Sequence, residues 1–201
     1  MSEMGKRAFD LAVAGLGLLV LAPLLLLAAA WIKLDSPGPV FFRQERVGRG
    51  GRIFRIHKLR TMRHGSPTAG PLITAQGDTR ITRAGRFLRL HRIDELPQLI
   101  DVLAGHMSLV GPRPEVPRYV ALYPPSLRDE VLAVRPGITD PASLEFANEA
   151  EDLARAGDPE RAYIEDLLPR KLARQADYAR RATLATDIAV IGRTLRWLLA
   201  R

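Results

Sequence analysis

The sequence predicts an α+β fold, mostly helical. An N-terminal re-entrant membrane segment, helix–break–helix, leads into a compact domain with a small β-hairpin and a C-terminal amphipathic helix. Three observations predict it. An uncharged run covers the 22 positions from Leu11 to Ile32, about the length that crosses a bilayer as a helix. Two β-prone stretches then flank a Gly-rich turn. Beyond them, apolar residues recur at three- to four-residue spacing almost to the C-terminus.

The membrane segment comes first. Lys6 and Arg7 precede the apolar run, and Lys33, Arg43 and Arg46 follow it. Positive charge marks the cytoplasmic flank, so basic residues at both ends favour a segment that enters and leaves by one face. Pro23, near the middle, removes a helix hydrogen bond and kinks or breaks the helix. On these grounds a re-entrant hairpin over residues 1–35 and a Pro-kinked single span stand nearly even. A cleaved signal peptide fits less well, because Trp31-Ile32-Lys33-Leu34-Asp35 has the make-up of an interface anchor. Asp35-Ser36-Pro37-Gly38-Pro39 is a turn cluster and divides this segment from a domain at 36–201.

Residues 40–44 and 53–56 read as a hairpin around Val47-Gly48-Arg49-Gly50-Gly51. Residues 64–78 are rich in Gly, Pro, Ser and Thr and read as a mobile loop. Helical patterns follow at about 80–91, 95–104, 115–123, 126–134, 143–156 and 159–175. In the last segment, 180–200, Leu184, Ile188, Ile191, Leu195 and Leu198 share one face. Arg180, Arg181, Arg193, Arg196 and Arg201 make the other surface basic. Such a helix either lies on an anionic membrane or packs on the core.

Composition sets bounds on chemistry. The chain has 201 residues, 30 Lys and Arg against 22 Asp and Glu, and a net charge of +8. That balance points to a polyanionic partner: nucleic acid, an anionic membrane face or a phosphorylated substrate. With no cysteine, a disulfide framework, a Cys-ligated zinc site and thiol catalysis are excluded. His57, His64, His91 and His106 lack metal-ligand spacing. No Walker loop, GxGxxG or GxSxG motif occurs.

Four stretches could carry chemistry. Arg43, Arg46, Arg49, Arg52, Arg55, Lys58, Arg60 and Arg63 form a basic run broken only by Glu45, read as a solvated or lipid-facing patch. No nucleic-acid-binding motif accompanies it. In Arg89-Leu-His-Arg-Ile-Asp94-Glu95-Leu-Pro97, spacing alone makes Asp94 a helix N-cap with Glu95 in the first turn. Arg86, Arg89 and Arg92 nearby raise the alternative of a phosphate site, where an Asp could hold Mg²⁺ or attack phosphorus. Gly111-Pro112-Arg113-Pro114 fixes a rigid turn around one arginine. Arg135-Pro136-Gly137-Ile138-Thr139-Asp140-Pro141 is a second rigid turn with a basic start.

The order of these stretches is informative. Phe42-Arg-Gln44-Glu-Arg46-Val-Gly48, Lys58-Leu-Arg60-Thr61-Met62 and Thr82-Arg83-Ala-Gly85 precede Asp94-Glu95-Leu96-Pro97-Gln98-Leu99. Met107-Ser108-Leu109-Val110-Gly111-Pro112-Arg113-Pro114 and Arg135-Pro136-Gly137-Ile138-Thr139 follow. This resembles the bacterial sugar transferases, the monotopic polyprenyl-phosphate phosphoglycosyl transferases, in their minimal single-catalytic-domain form.

The resemblance implies transfer of a phospho-sugar from a UDP-sugar to polyprenyl (undecaprenyl) phosphate, with release of UMP. It places the protein at the bacterial inner membrane with its domain on the cytoplasmic face, among anionic lipids and without nucleic acid. It implies Asp94 as nucleophile, through a phosphosugar–aspartyl intermediate, with Glu95 helping to hold Mg²⁺. Arg89 and Arg113 match phosphate-binding positions. Lys58, Arg60, Thr61 and Arg135 match candidate substrate-binding positions, and Pro23 matches the membrane break. Asp101 stands where the family often has Asn, and Asp140-Pro141 stands where Gly commonly follows. The competing expectation is a membrane-anchored scaffold without catalysis. The sugar, the polyprenol and the oligomeric state have no readable motif.

Overall fold

A computed structural model describes residues 3–65 and 78–200. The loop expected over 64–78 therefore lies almost wholly outside the described residues. Helix α1 (Glu3–Asp35) is followed by strands β1 (Phe41–Val47) and β2 (Ile53–Leu59). Helix α2 (Arg83–Leu90), a 3₁₀ turn (Ile93–Glu95), α3 (Gln98–Leu103) and β3 (Ser108–Val110) come next. Then follow α4 (Pro117–Val120), α5 (Pro125–Leu132), β4 (Gly137–Thr139), α6 (Pro141–Glu145) and α7 (Glu149–Ala154). Helix α8 (Pro159–Ala162), one π-helical turn (Tyr163–Leu167), α9 (Leu168–Arg181) and α10 (Leu184–Leu199) end the chain.

Helix α1 runs unbroken through Pro23, which corrects the expected helix–break–helix. Proline costs one N–H and crowds the carbonyl of Leu19, and a long helix can absorb that locally without ending. Ala14, Leu18, Leu21, Leu25, Ala28 and Ile32 form one stripe at three- and four-residue spacing. The first three pack into the central core with Leu99, Val102 and Tyr178. The last three pack with Leu59, Ala84 and Leu88. The opposite face leaves Leu16, Leu19, Val20, Leu26 and Leu27 exposed.

Polar bonds tie both ends of α1 to the same domain. Lys6 Nζ donates to the Val110 carbonyl at 3.1 Å, and Arg7 donates to the Val102 carbonyl at 2.8 Å. The Leu109 N–H donates to the buried Asp10 carboxylate at 3.2 Å. At the far end the Ala84 N–H donates to Asp35 at 3.0 Å.

Strands β1 and β2 pair antiparallel from Phe41↔Leu59 to Val47↔Ile53, longer than the sequence pattern indicated. Gly50 and Gly51 take positive φ in the connection, a conformation that glycine adopts without steric cost. Strands β3 and β4 pair parallel, Ser108 with Gly137 and Val110 with Thr139. No periodicity announced this pair. A Cβ on Gly137 would lie 2.0 Å from the Gly111 nitrogen, so the two backbones meet only because glycine stands there.

The helix expected over 143–156 divides into α6 and α7, with Phe146 turned into the core formed by Tyr119, Tyr163 and Leu172. In α10 the buried residues are Asp187 and Val190, not the apolar stripe. Ile188 and Leu195 are more than half exposed, because the Asp187 carboxylate turns inward to Lys6 and to the Tyr178 hydroxyl.

Candidate active site

The Asp94-Glu95 pair sits in the 3₁₀ turn between α2 and α3, and its entry residue Arg92 has φ 56°. That left-handed step is strained for a residue with a side chain. It sends the next two carboxylates inward: Asp94 is 1% exposed and Glu95 6%. Asp94 is not an N-cap. Helix α3 starts after Pro97 with no side-chain cap bond, which corrects the reading from spacing alone.

Three cations converge on the pair from different elements. Lys58, on β2, places Nζ 3.0 Å from Asp94 Oδ2 and 3.1 Å from Glu95 Oε1. Arg113, on the loop after β3, binds Glu95 through both guanidinium nitrogens, one at 3.2 Å from Oε2. Arg92 reaches the same Oε2 at 3.5 Å.

The adjacent carboxylates are driven in opposite directions. Burial pushes the Asp94 carboxyl above its ordinary range, opposed by the charge of Lys58. Burial acts the same way on Glu95, but the Arg113 and Lys58 charges outweigh it and hold that carboxyl well below the usual range. Arg113 is raised in turn, chiefly by Glu95. Arg89, on α2, is lowered by burial and pulled back up by Asp94, so it shares the field of the site.

One atom stands apart. Asp94 Oδ1 is buried and has no hydrogen-bond partner among the described residues. A buried unbonded carboxylate oxygen costs free energy unless a ligand meets it. Hard oxygen donors of this kind suit Mg²⁺, which usually takes one or two carboxylates and completes its shell with substrate phosphates and water. Among the described residues no group of three or more His, Asp or Glu could hold a metal by itself. The donor set therefore fits an ion shared with a phosphorylated substrate.

The Arg113 loop is braced from beneath. Its N–H donates to Asp140 Oδ2 at 2.7 Å, and Gln175 on α9 donates to the same oxygen at 3.0 Å. Asp140 also caps α6 through the Ser143 N–H. Beside Arg92 and Arg113, a polar cavity is lined by Ser143, Phe146, Glu149 and Lys171. Arg46, half-buried, donates to the Pro114 carbonyl at 3.0 Å and pairs with Glu115. The Tyr163 hydroxyl also donates to Glu115, at 2.5 Å.

The structure thus brings Asp94, Glu95, Lys58 and Arg113 together, with Arg89 close enough to act electrostatically. It places three other expected residues elsewhere. Arg60 is 4% exposed, and its guanidinium donates to the carbonyls of Ile32, Ser36 and Pro37 at the end of α1. Thr61 accepts from the Thr82 N–H at 3.0 Å and seats the start of α2. Arg135 donates to the Gly105 carbonyl at 3.2 Å and pairs with Glu3 at 2.9 Å. The basic run is therefore not one solvated or lipid-facing patch. Arg46, Lys58 and Arg60 turn inward to specific protein oxygens. Asp101 is 1% exposed and faces His57 rather than solvent.

Comparison with known proteins gives the family. The family model described as bacterial sugar transferase matches residues 1–201. A UDP-glucose:undecaprenyl-phosphate glucose-1-phosphate transferase of Caulobacter vibrioides is 40% identical over 98% of this chain and 70% of its own length. A UDP-N-acetylgalactosamine-undecaprenyl-phosphate N-acetylgalactosaminephosphotransferase of Aeromonas hydrophila is 38% identical over 96% of this chain. A glucose-1-phosphate transferase of Escherichia coli is 42% identical over 72% of this chain. The chain spans 43% and 32% of the last two proteins. Matched over its whole length and sharing two-fifths of its residues with a transferase of which it covers more than two-thirds, this chain belongs to the bacterial sugar transferase family.

Proposed function

We propose that this protein is an Mg²⁺-dependent phosphoglycosyl transferase that moves a sugar 1-phosphate from a UDP-sugar to undecaprenyl phosphate, releasing UMP. The unbonded Asp94 Oδ1 beside three cations carries the reading. It is the carboxylate oxygen free to react, and the cations suit a diphosphate. Asp94 attacks the β-phosphorus, and a bond forms between its oxygen and that phosphorus. The bond to the bridging oxygen breaks, and UMP leaves with the electron pair. A phosphate oxygen of the lipid then attacks the same phosphorus. The acyl-phosphate bond breaks, regenerating the carboxylate and yielding a sugar diphosphate lipid. Arg113, Arg92 and Lys58 stabilise the charge spread over the equatorial oxygens. Mg²⁺, held by Asp94 with Glu95 beside it, would supply further charge neutralisation.

Helix α1 is proposed to lie along one leaflet, with its exposed apolar face in the lipid and both ends on the same side. Its whole length packs against one domain and both ends are bonded to that domain. Residues 10 and 35 are about 37 Å apart at 1.5 Å per residue. A domain bonded to both could not occupy one side of a bilayer if the helix spanned it. The domain then lies on the cytoplasmic face of the inner membrane, with the exposed Ile188, Leu195 and Leu199 of α10 facing anionic lipid.

The test is UMP release by purified protein with Mg²⁺ across a panel of UDP-sugars, with and without undecaprenyl phosphate. Lipid-dependent turnover with one donor, and a stoichiometric burst without lipid that Asp94→Asn abolishes, are expected. Turnover by Asp94→Asn would refute the covalent route.

A further inference from the structure

Asp101 lies six residues beyond Glu95 and bonds to neither carboxylate of the pair, yet it is buried and its side chain is doubly bonded to one residue. The His57 backbone N–H donates to Asp101 Oδ2 at 2.8 Å. The His57 ring Nδ1 lies 2.7 Å from Asp101 Oδ1. On the other edge of the ring, Arg43 NH1 lies 2.7 Å from Nε2, and Arg43 is the cross-strand partner of His57.

The proton positions follow from valence. A guanidinium only donates, so Nε2 must present its lone pair to Arg43. The ring proton is then on Nδ1, donated to Asp101. Both Asp101 oxygens accept, and every group in the chain Arg43–His57–Asp101 is satisfied. An amide in place of the carboxylate cannot do this. Its NH₂ would meet either the His57 backbone N–H or Nδ1–H. If the ring took the other tautomer to accept from that NH₂, Nε2–H would face Arg43.

We propose that Asp101 is a positioning residue for the transfer reaction, fixing His57 as the Nδ1–H tautomer and clamping β2 to α3. Lys58 follows His57 directly on β2, and α3 begins three residues after Glu95. The clamp therefore holds the two backbones whose side chains form the Lys58–Asp94 and Lys58–Glu95 bonds, at a point outside those bonds. The effect on rate rests on the reading under Proposed function, whereas the tautomer does not.

Two variants and one spectrum test it. Asp101→Asn should lower kcat about tenfold, which corresponds to ~1.4 kcal/mol, with KM for the UDP-sugar little changed. Arg43→Met removes the donor at the exposed ring edge, where water can accept Nε2–H. Added to Asp101→Asn, it should bring kcat back to within about twofold of Arg43→Met alone, a coupling read from the double-mutant cycle. Imidazole ¹⁵N spectra should show Nδ1–H at His57 in the parent and Nε2–H in the double variant. Undiminished kcat in Asp101→Asn, no rescue by Arg43→Met, or an Nε2–H His57 in the parent would each overturn the proposal. If no UDP-sugar yields UMP, the transferase reading fails, while the spectra still decide the proton chain.

Discussion

Replacing Lys58 by Met tests the electrostatics of the site most directly. Its ammonium lies 3.0 Å from Asp94 and 3.1 Å from Glu95. At an effective dielectric of about 20, each contact carries about 5 kcal/mol of Coulomb attraction before desolvation and side-chain entropy are subtracted. The loss falls unequally. Glu95 keeps Arg113 and Arg92 and stays ionised. Asp94 keeps the field of Arg89 but loses the cation that most opposes its burial. Its carboxyl, already above the ordinary aspartate range, moves higher still, because removing a cation favours the neutral acid. A carboxyl that must react as the anion then becomes limiting at neutral pH. We expect kcat to fall about 10²- to 10³-fold, which is ~2.7–4 kcal/mol of transition-state stabilisation. The acid limb of the pH–rate profile should shift to higher pH, and part of the loss should be recovered as pH rises. The assay is single-turnover UMP release as a function of pH, with Lys58→Arg as a charge-retaining control. A uniform loss at every pH with the acid limb unmoved would refute the claim that Lys58 sets the charge of Asp94.

Two further outcomes follow from the docking of α1. Arg60→Met leaves the Ser36 and Pro37 carbonyls without this donor, while the Ile32 carbonyl keeps the Ser36 N–H. At about 1–3 kcal/mol per orphaned acceptor, it should destabilise the protein by about 3 kcal/mol, seen as a lower Tm in detergent; an unchanged Tm would show that Arg60 does not hold this end. The parent has no cysteine, so single cysteines at Met4, Pro39 and Arg170 report topology cleanly. All three should react with an impermeant maleimide from the same side of oriented vesicles, and opposite labelling of Met4 and Pro39 would establish a span.

The parts of the site written contiguously were legible in the sequence, and the parts assembled by the fold were not. Asp94-Glu95 and Gly-Pro-Arg113-Pro stand out as short stretches of unusual chemistry. Their brace does not. Asp140 reaches the Arg113 backbone from 27 residues away, and Gln175 reaches Asp140 from 35 residues farther on; helix or strand periodicity carries no information about such pairings. The N-cap reading of Asp94 failed because Arg92 takes positive φ, a conformation that composition signals only when glycine adopts it. Strands β3 and β4 are three residues each, too short for alternation to show. Their trace was the pair Gly111 and Gly137. In the basic run, residue type gave the charge but not the direction, and direction separates Lys58 at the carboxylates from Arg60 at the end of α1.

The assignment of roles within the adjacent carboxylates rests on asymmetry of partners. Both side chains are buried, and both lie within reach of Lys58. Of the two carboxylates, the Arg113 and Arg92 side chains bond to Glu95, so Glu95 is committed to holding cations in place. Moving it would release the groups that must meet a phosphate. Asp94 has one oxygen bonded to Lys58 and one without a hydrogen bond among the described residues, and its charge is supported by that single contact with the field of Arg89 behind it. A nucleophile needs that combination: enough positive field to ionise, and an oxygen with no bond to give up first. Exchanging the two residues in the sequence would keep the composition, the spacing and the net charge. It would put the longer side chain at the free position and the shorter one among the cations. The order Asp-Glu is thus part of the mechanism, because the length of each side chain fixes which carboxylate the arginines can reach.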